Sequence, residues 1–250
     1  MINTHGELIF SSAIVLCEGI TEEQALPIYF KEFFGVEPVF LGINIIGIGG
    51  QNYQTYLKFI KEFELKWYIF SDGEKAAKKS VNKAVKVLTD VSYENLPNVV
   101  VIENGYDYEK MLIKNGNSDE IIAAINEINE NENYYTSYIE KLNGEVKTKR
   151  RKTDKPPCAL CGQDIYEDYV EEVEGVDDEE TKLYRCMISS DGKAKYASTV
   201  AHSIVSAQEI NKRYTKEILK LLLQIEKDFG LQRRSEYNDI ESFGETEGDC

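Results

Sequence analysis

Histidine and cysteine are scarce in this 250-residue chain, and each scarcity closes off a class of function. Two histidines leave little room for imidazole-based catalysis. Five cysteines, an odd number scattered along the chain without an export signal, do not make a disulfide framework, so reduced thiols are expected. No apolar run approaches the roughly 20 residues needed to cross a bilayer. The opening residues Met1 to His5 also lack the basic-then-apolar layout of a signal peptide, so a cytoplasmic protein with no membrane partner is expected. No GxxxxGK[ST] phosphate loop occurs, which excludes a self-contained P-loop ATPase, and Gly47, Gly49 and Gly50 lack the GxGxxG dinucleotide spacing. There is no internal repeat.

Positive charge is in deficit. A net charge of −15 argues against a protein that holds nucleic acid by a general electrostatic coat. The average hides two opposite segments: residues 166–180 hold nine carboxylates, whereas Lys147 to Lys155 hold six bases, including Lys149, Arg150, Arg151 and Lys152. Acid in quantity is compatible with metal chemistry on phosphate, because several carboxylates must hold the cations.

What is present is apolar content of 42%, enough for one sizeable core or one core plus a small appended module. Ala13 to Cys17 is an apolar run with β-branched members that stops at Glu18 and Gly19, as a buried strand does before a turn. Thr21 to about Phe34 follows as a helix, with Thr21 as cap, Gln24 completing a capping box and Gly35 ending it. Ile43 to Ile46, Trp67 to Phe70 and Val99 to Ile102 supply three more strands, separated by helical patterns over Tyr53 to Phe63 and Lys75 to Leu88. The alternation predicts an α/β fold, a parallel sheet flanked by helices, with functional groups at the carboxyl ends of the strands. Beyond residue 107 the pattern is mostly helical, over Tyr108 to Lys114, Ser118 to Glu130, Tyr134 to Leu142, Ala194 to Ser206 and Ala207 to Phe229. The expected division is a core over 1–114 and a helical C-terminal region over 115–231. A charged, loop-like insert is expected at about 144–182, and a polar, frayed tail over 232–250.

Acids follow three of the four strands: Glu18 with Glu22 one helical turn on, Asp72 with Glu74, and Asp107 with Glu109. Each has an ordinary reading by itself, Glu22 as a first-turn carboxylate, Asp72 and Gly73 as a turn, Glu109 as surface. In a parallel sheet, however, these ends share one edge, so the carboxylates converge. Packed carboxylates repel unless a cation sits among them, and hard oxygen ligands select Mg²⁺, Mn²⁺ or Ca²⁺. Two such ions would suit hydrolysis of a phosphodiester.

The residues Glu18, Gly19, Ile20, Thr21 and Glu22 resemble the EGxTE element of the TOPRIM domain in nucleases of the OLD (overcoming lysogenization defect) family, a group that includes the nuclease subunit of Gabija anti-phage systems. Gly6 to Phe10 resembles the segment that leads into that domain. Asp72, Gly73 and Glu74 are similar to the family's DxD element, and Gly105 to Glu109 to its later acidic element. The likeness covers about residues 6–112 and is patchy beyond. It implies a TOPRIM (Rossmann-like) core, with Glu18 as leading catalytic acid and metal ligand and Glu22, Asp72, Glu74 and Glu109 as further ligands of Mg²⁺ or Mn²⁺, in a two-metal site. Glu74 departs from the pattern, standing where a second aspartate is usual.

The same resemblance implies a lysine near the scissile phosphate, for which Lys193 is preferred and Lys195 is the alternate. Cys158 and Cys161 have the spacing of a Zn²⁺ knuckle, with Cys186 or His202 as the available partners, or are simply reduced thiols. The run from Lys147 to Lys155 reads equally as a phosphate grip or as a solvated loop, whereas Lys78, Lys79 and Lys83 on the third helix could form a second phosphate-facing stripe, although most such stripes are merely solvated faces.

The resulting expectation is a metal-dependent endonuclease hydrolysing DNA, in anti-phage defence. An ABC-type ATPase module would lie upstream or in a separate chain, so that this chain is a piece of a longer one or a split-gene product, homo-oligomeric in the full assembly. The alternatives are a TOPRIM ribonuclease or toxin acting on RNA, and a non-catalytic TOPRIM-like module regulating a partner ATPase. A primase or topoisomerase fragment is disfavoured because the flanking machinery is missing.

Overall fold

The computed structural model describes residues 6–49, 52–143, 146–153, 166–172, 178–189 and 193–240. Four strands, β1 (Ala13–Cys17), β2 (Ile43–Gly47), β3 (Lys66–Ser71) and β4 (Val99–Val101), form one sheet in the order β2-β1-β3-β4. All its pairings are parallel. The register levels their carboxyl ends, with Cys17 opposite Gly47 on one side and Phe70 on the other, and Ser71 opposite Val101. Loops leaving β1, β3 and β4 therefore emerge along one edge, the place where a parallel sheet presents functional groups.

Each face of the sheet has its own core. On one, Ile14, Leu16, Ile46 and Ile69 pack with Tyr53, Leu57 and Ile60 of α2 (Tyr53–Glu62) and with Val81, Ala84 and Val85 of α3 (Lys75–Val85). The alternate residues Ala13, Val15 and Cys17 point the other way, which explains why β1 is apolar throughout: it is buried on both faces. That second core takes in α1 (Ile20–Phe34), α4 (Tyr108–Lys114), α5 (Ser118–Ile128), α7 (Glu179–Ser189), α8 (Ala197–Val205) and α9 (Lys216–Phe229). The helices after residue 114 thus complete the core that the sheet begins. The remaining helix, α6 (Tyr134–Asn143), lays Tyr134, Tyr135 and Tyr138 against it.

Local structure departs from the sequence expectation in four places. Helix α1 is capped by Gly19, two residues earlier than the Thr21 and Gln24 reading, with the Glu22 carboxylate accepting the Gly19 N–H at 3.1 Å. Its end is as expected, with Gly35 at φ 74° in the left-handed region.

Inside the segment read as a charged loop, β5 (Val146–Lys152) and β6 (Tyr166–Glu172) pair antiparallel, and α7 begins at Glu179. The register sets Lys147 opposite Glu171, Arg150 opposite Asp168 and Arg151 opposite Glu167. A charged pair of strands has no apolar alternation to announce it, so apolar periodicity does not register the ladder.

The last helices also divide differently: α8 stops at Val205 and α9 starts only at Lys216. The intervening chain is held by side chains, with the Asn117 amide donating to Lys212 O at 2.9 Å and the Arg213 guanidinium to Ala207 O at 2.7 Å. Thr215 caps α9 by accepting from Ile218 N at 3.2 Å.

Finally, the chain from Gln232 to Ile240, expected to fray, is docked. Arg234 N donates to Phe33 O at 2.8 Å, the Tyr237 hydroxyl to Glu32 Oε1 at 2.9 Å, and the Tyr237 ring stacks on Phe33 with centroids 5.4 Å apart. The final residues 241–250 lie outside the described residues, as do Cys158 and Cys161.

Among the described residues no helix is long and apolar enough to cross a membrane.

Candidate functional site

The levelled edge gathers acids from the junctions after three strands. Glu18, half-buried, leaves the end of β1, and Glu22, 5% exposed, sits in the first turn of α1. Asp72, half-buried, follows β3, while Asp107 (7% exposed) and Glu109 (2% exposed) lie at the cap and first turn of α4.

Backbone donors pin Asp72 and Glu22, as they do Asp107. Tyr108 N donates to Asp72 Oδ1 at 3.1 Å, and Gly19 N to Glu22 Oε2. That fixes the position of each carboxylate at the edge. The loop after β3 can meet the α4 cap only because residue 73 is glycine: a Cβ there would stand 2.0 Å from Ile102 O. The close approach is sealed by Gly73 N donating to Tyr106 O at 2.8 Å.

Burial together with mutual repulsion makes these acids hard to ionise. Desolvation raises Asp72 from 3.8 to about 8, helped by the charges of Glu22, Glu18, Asp107 and Glu109. Desolvation likewise raises Glu22 to about 7, with Glu109 and Glu18 adding repulsion against the lowering effect of backbone hydrogen bonds. The leading influences on these two carboxylates are burial, backbone hydrogen bonds and neighbouring carboxylates. A shared cation is what such a group wants. Among the described residues no three acids, histidines or cysteines already stand close enough to hold one ion. Mg²⁺, however, keeps several waters and needs only one or two direct carboxylates, so the donor set fits a hydrated divalent cation.

Three hydroxyl groups face the acids. Ser71, wholly buried, donates to Glu18 Oε2 at 3.5 Å. Tyr184 of α7 donates to Asp107 Oδ2 at 2.6 Å, while Lys110 N donates to Asp107 Oδ1 at 2.9 Å. Tyr53, the first residue of α2, lies against Ser71 under the influence of Glu18 and Glu22. None of the three was foreseen from the sequence. Ser71 is signalled only by its place before Asp72, and Tyr184 lies in a stretch where no element was expected.

Other expected site residues fall elsewhere. Glu74 is exposed at the N-cap of α3, whose extended backbone (φ −63°, ψ 151°) leaves it outside the buried group. Lys193 opens a 3₁₀ turn, Lys193–Lys195, that packs against α1. Lys195 donates to Asn129 Oδ1 at 3.1 Å and lies over the Tyr196 ring. Of the residues weighed as zinc partners, Cys186 is buried in the core and His202 is exposed on α8. Cys17 is a buried core thiol that desolvation, then Glu22 and Glu23, hold well above its ordinary range. Lys75, Lys79 and Lys83 stand exposed on α3, next along the chain from Asp72.

Comparison with known proteins agrees with this architecture. Residues 9–73 match the family profile described as "Overcoming lysogenization defect protein-like, TOPRIM domain". The fold is that of the C-terminal region of the Xanthomonas campestris pv. campestris OLD protein, with TM-score 0.59 and 18% identity over 90% of this chain and 97% of that one. The C-terminal region of the Burkholderia pseudomallei OLD protein superposes with TM-score 0.55 and 15% identity over 88% of this chain and 98% of that one. No curated protein matches the sequence.

Proposed function

We propose that this chain is the nuclease part of an OLD-type system, a divalent-metal-dependent endonuclease that hydrolyses DNA phosphodiesters. The observation that carries the reading is the convergence of Glu18, Glu22, Asp72, Asp107 and Glu109 at one sheet edge, where burial and like charge oppose the ionisation of Glu22 and Asp72. The match of residues 9–73 to the OLD-like TOPRIM profile supports it.

When bound, divalent cations at these carboxylates would lower the pKa of a water and neutralise charge at the phosphoryl oxygens. Glu18, which accepts from Ser71, receives the proton of the attacking water or orients that water. Glu18, Asp72, Glu22 and Glu109 would hold the cations, and Asp107, fixed by Tyr184 and Lys110 N, supports Glu109 two residues on. Glu74 adds an acid at the rim, and Lys193, with Lys195 as alternate, supplies an ammonium to the phosphate. The exposed lysines of α3 favour a polyanion beside the acids.

By the same family likeness, we place the chain in the cytoplasm, in anti-phage defence, homo-oligomeric and working with an ABC-type ATPase. The test is cleavage of supercoiled plasmid in Mg²⁺ or Mn²⁺ by wild type, Glu18→Ala and Asp72→Ala, beside an RNA of similar length. Cutting of DNA by wild type alone is the expected result. Equal cutting by all three proteins removes the mechanism, and cutting of RNA alone moves the substrate.

A further inference from the structure

Tyr53 is a buried tyrosine beside the acidic edge whose hydroxyl makes no hydrogen bond of ordinary geometry. It is wholly buried, opening α2 where the chain returns from β2, and its hydroxyl approaches Ser71 without completing a hydrogen bond of ordinary geometry. Yet the hydroxyl does not face apolar side chains alone. It lies against Ser71 and within the influence of Glu18, Cys17 and Glu22. A buried hydroxyl without a partner costs roughly 1–3 kcal/mol, and phenylalanine would fill the same space without that cost. A tyrosine retained at that position calls for an explanation beyond packing.

Ser71 supplies one. Its single proton has two acceptors at nearly equal, long distances, Glu18 Oε2 at 3.5 Å and Asp72 O at 3.4 Å. A hydroxyl both donates and accepts, so a donor on the far side of Ser71 decides where its own proton goes.

We propose that Tyr53 is a positioning residue: its hydroxyl donates to Ser71 Oγ, which commits the Ser71 proton to Glu18 Oε2 and fixes the orientation of the Glu18 carboxylate. The relay runs Tyr53 O–H to Ser71 O–H to Glu18, and it closes when Glu18 carries full charge beside a cation. The inference rests on the reading of Glu18 as a metal-holding acid, and it adds a buried tyrosine from the opposite core to that site. Burial holds the Tyr53 phenol far above its ordinary range, so it remains a donor at any working pH.

The experiment uses the full chain with Tyr53→Phe, Ser71→Ala and the double variant. Mn²⁺ affinity is measured by calorimetry, plasmid nicking in Mn²⁺ by gel, and melting temperature in chelator. Loss of a partner behind a metal ligand typically lowers affinity or activity 10–100-fold, and Tyr53, one step further out, is expected to cost about tenfold in both Mn²⁺ affinity and kcat with KM for DNA unchanged. Because its hydroxyl is unsatisfied without cation, Tyr53→Phe should melt at the same temperature as wild type or higher. The double variant should be no worse than the worse single one, since both interrupt one relay. Wild-type Mn²⁺ affinity in Tyr53→Phe overturns the proposal, as does a double-variant loss equal to the product of the single losses. A lowered melting temperature in Tyr53→Phe also overturns it, by showing that the hydroxyl only supports packing. A wild type that binds Mn²⁺ but cuts nothing removes the nuclease reading, and the affinity arm then decides the relay by itself.

Discussion

Replacing Asp72 by asparagine should make the metal-free protein more stable while removing its function. Asparagine keeps a carbonyl oxygen for Tyr108 N, which now donates to Asp72 Oδ1 at 3.1 Å, so the loop connection survives. What disappears is a charge facing Glu22, Glu18, Asp107 and Glu109. The folded protein holds Asp72 at about 8 against 3.8 when free, so the contribution of this group is fully present below pH 3.8 and is lost as pH rises towards 8. Water and counterions reach the half-buried carboxylate and screen part of the repulsion. The expected gain at pH 8 in chelator is therefore on the order of 1–2 kcal/mol. For a chain of this size, that corresponds to about 3–6 °C in melting temperature. The gain should shrink steadily as pH is lowered to 5.5. In 10 mM Mg²⁺ the order should close or reverse, because a cation bound with Kd of about 1 mM stabilises wild type by roughly 1.4 kcal/mol and the variant hardly at all. Differential scanning calorimetry at four pH values, with chelator and with Mg²⁺, measures all of this. Glu74→Gln, on an exposed acid, is the control and should shift stability by less than about 0.5 kcal/mol. A variant less stable than wild type in chelator at pH 8, or a gap independent of pH, would refute the account of the acid cluster.

Three more outcomes follow from the same geometry. The rise in melting temperature caused by Mg²⁺ or Mn²⁺ should grow between pH 6 and pH 8, as Glu22 (about 7) and Asp72 (about 8) give up protons to the cation, and chelator should reverse it; a flat response speaks against those ligands. Tyr184→Phe removes the 2.6 Å donor to the 7% exposed Asp107 and should lower stability by about 1–3 kcal/mol in chelator melts, whereas an unchanged melt would show that α7 does not hold the acidic edge. Gly73→Ala puts a Cβ 2.0 Å from Ile102 O and should separate Asp72 from Tyr108 N; cation binding at wild-type strength in that variant would mean that the loop junction is not needed.

The sheet was legible because its information is local. Buried strands read as short apolar runs closed by turns, and parallel order followed from helices between them, so Glu18, Asp72 and Glu109 could be assigned to one edge. What was hidden depends on partners distant in sequence. Tyr184 meets Asp107 across 77 residues, and Asn117 holds Lys212 O across 95, so no window of sequence reveals the bond or the loop it fixes. The same applies to Gln232 to Ile240, whose polar composition suggested a frayed end while Tyr237 and Arg234 were in fact anchored on α1. Glu74 shows what spacing leaves open. Its spacing from Asp72 matched a motif, but the extended backbone at the start of α3 carries it to the surface. Spacing places a residue on a loop, and backbone torsions decide which way the loop presents it.

A cluster of repelling acids should disperse, and the fold prevents this with neutral groups. Gly19 N on Glu22, Tyr108 N on Asp72, Lys110 N and the Tyr184 hydroxyl on Asp107, and the Ser71 hydroxyl on Glu18 are all donors without formal charge. A lysine or arginine in their place would have relieved the repulsion permanently and lowered the affinity for a cation. Backbone amides and hydroxyls stabilise each carboxylate enough to keep it in position while leaving the negative field of the group largely uncancelled. The donors come from the ends of β1, β3, α1 and α4 and from α7, so the stability that offsets the repulsion comes from both cores. The edge can remain electrostatically unsatisfied because the sheet and helices behind it hold the acids rigidly enough that only a ligand of opposite charge can relax them.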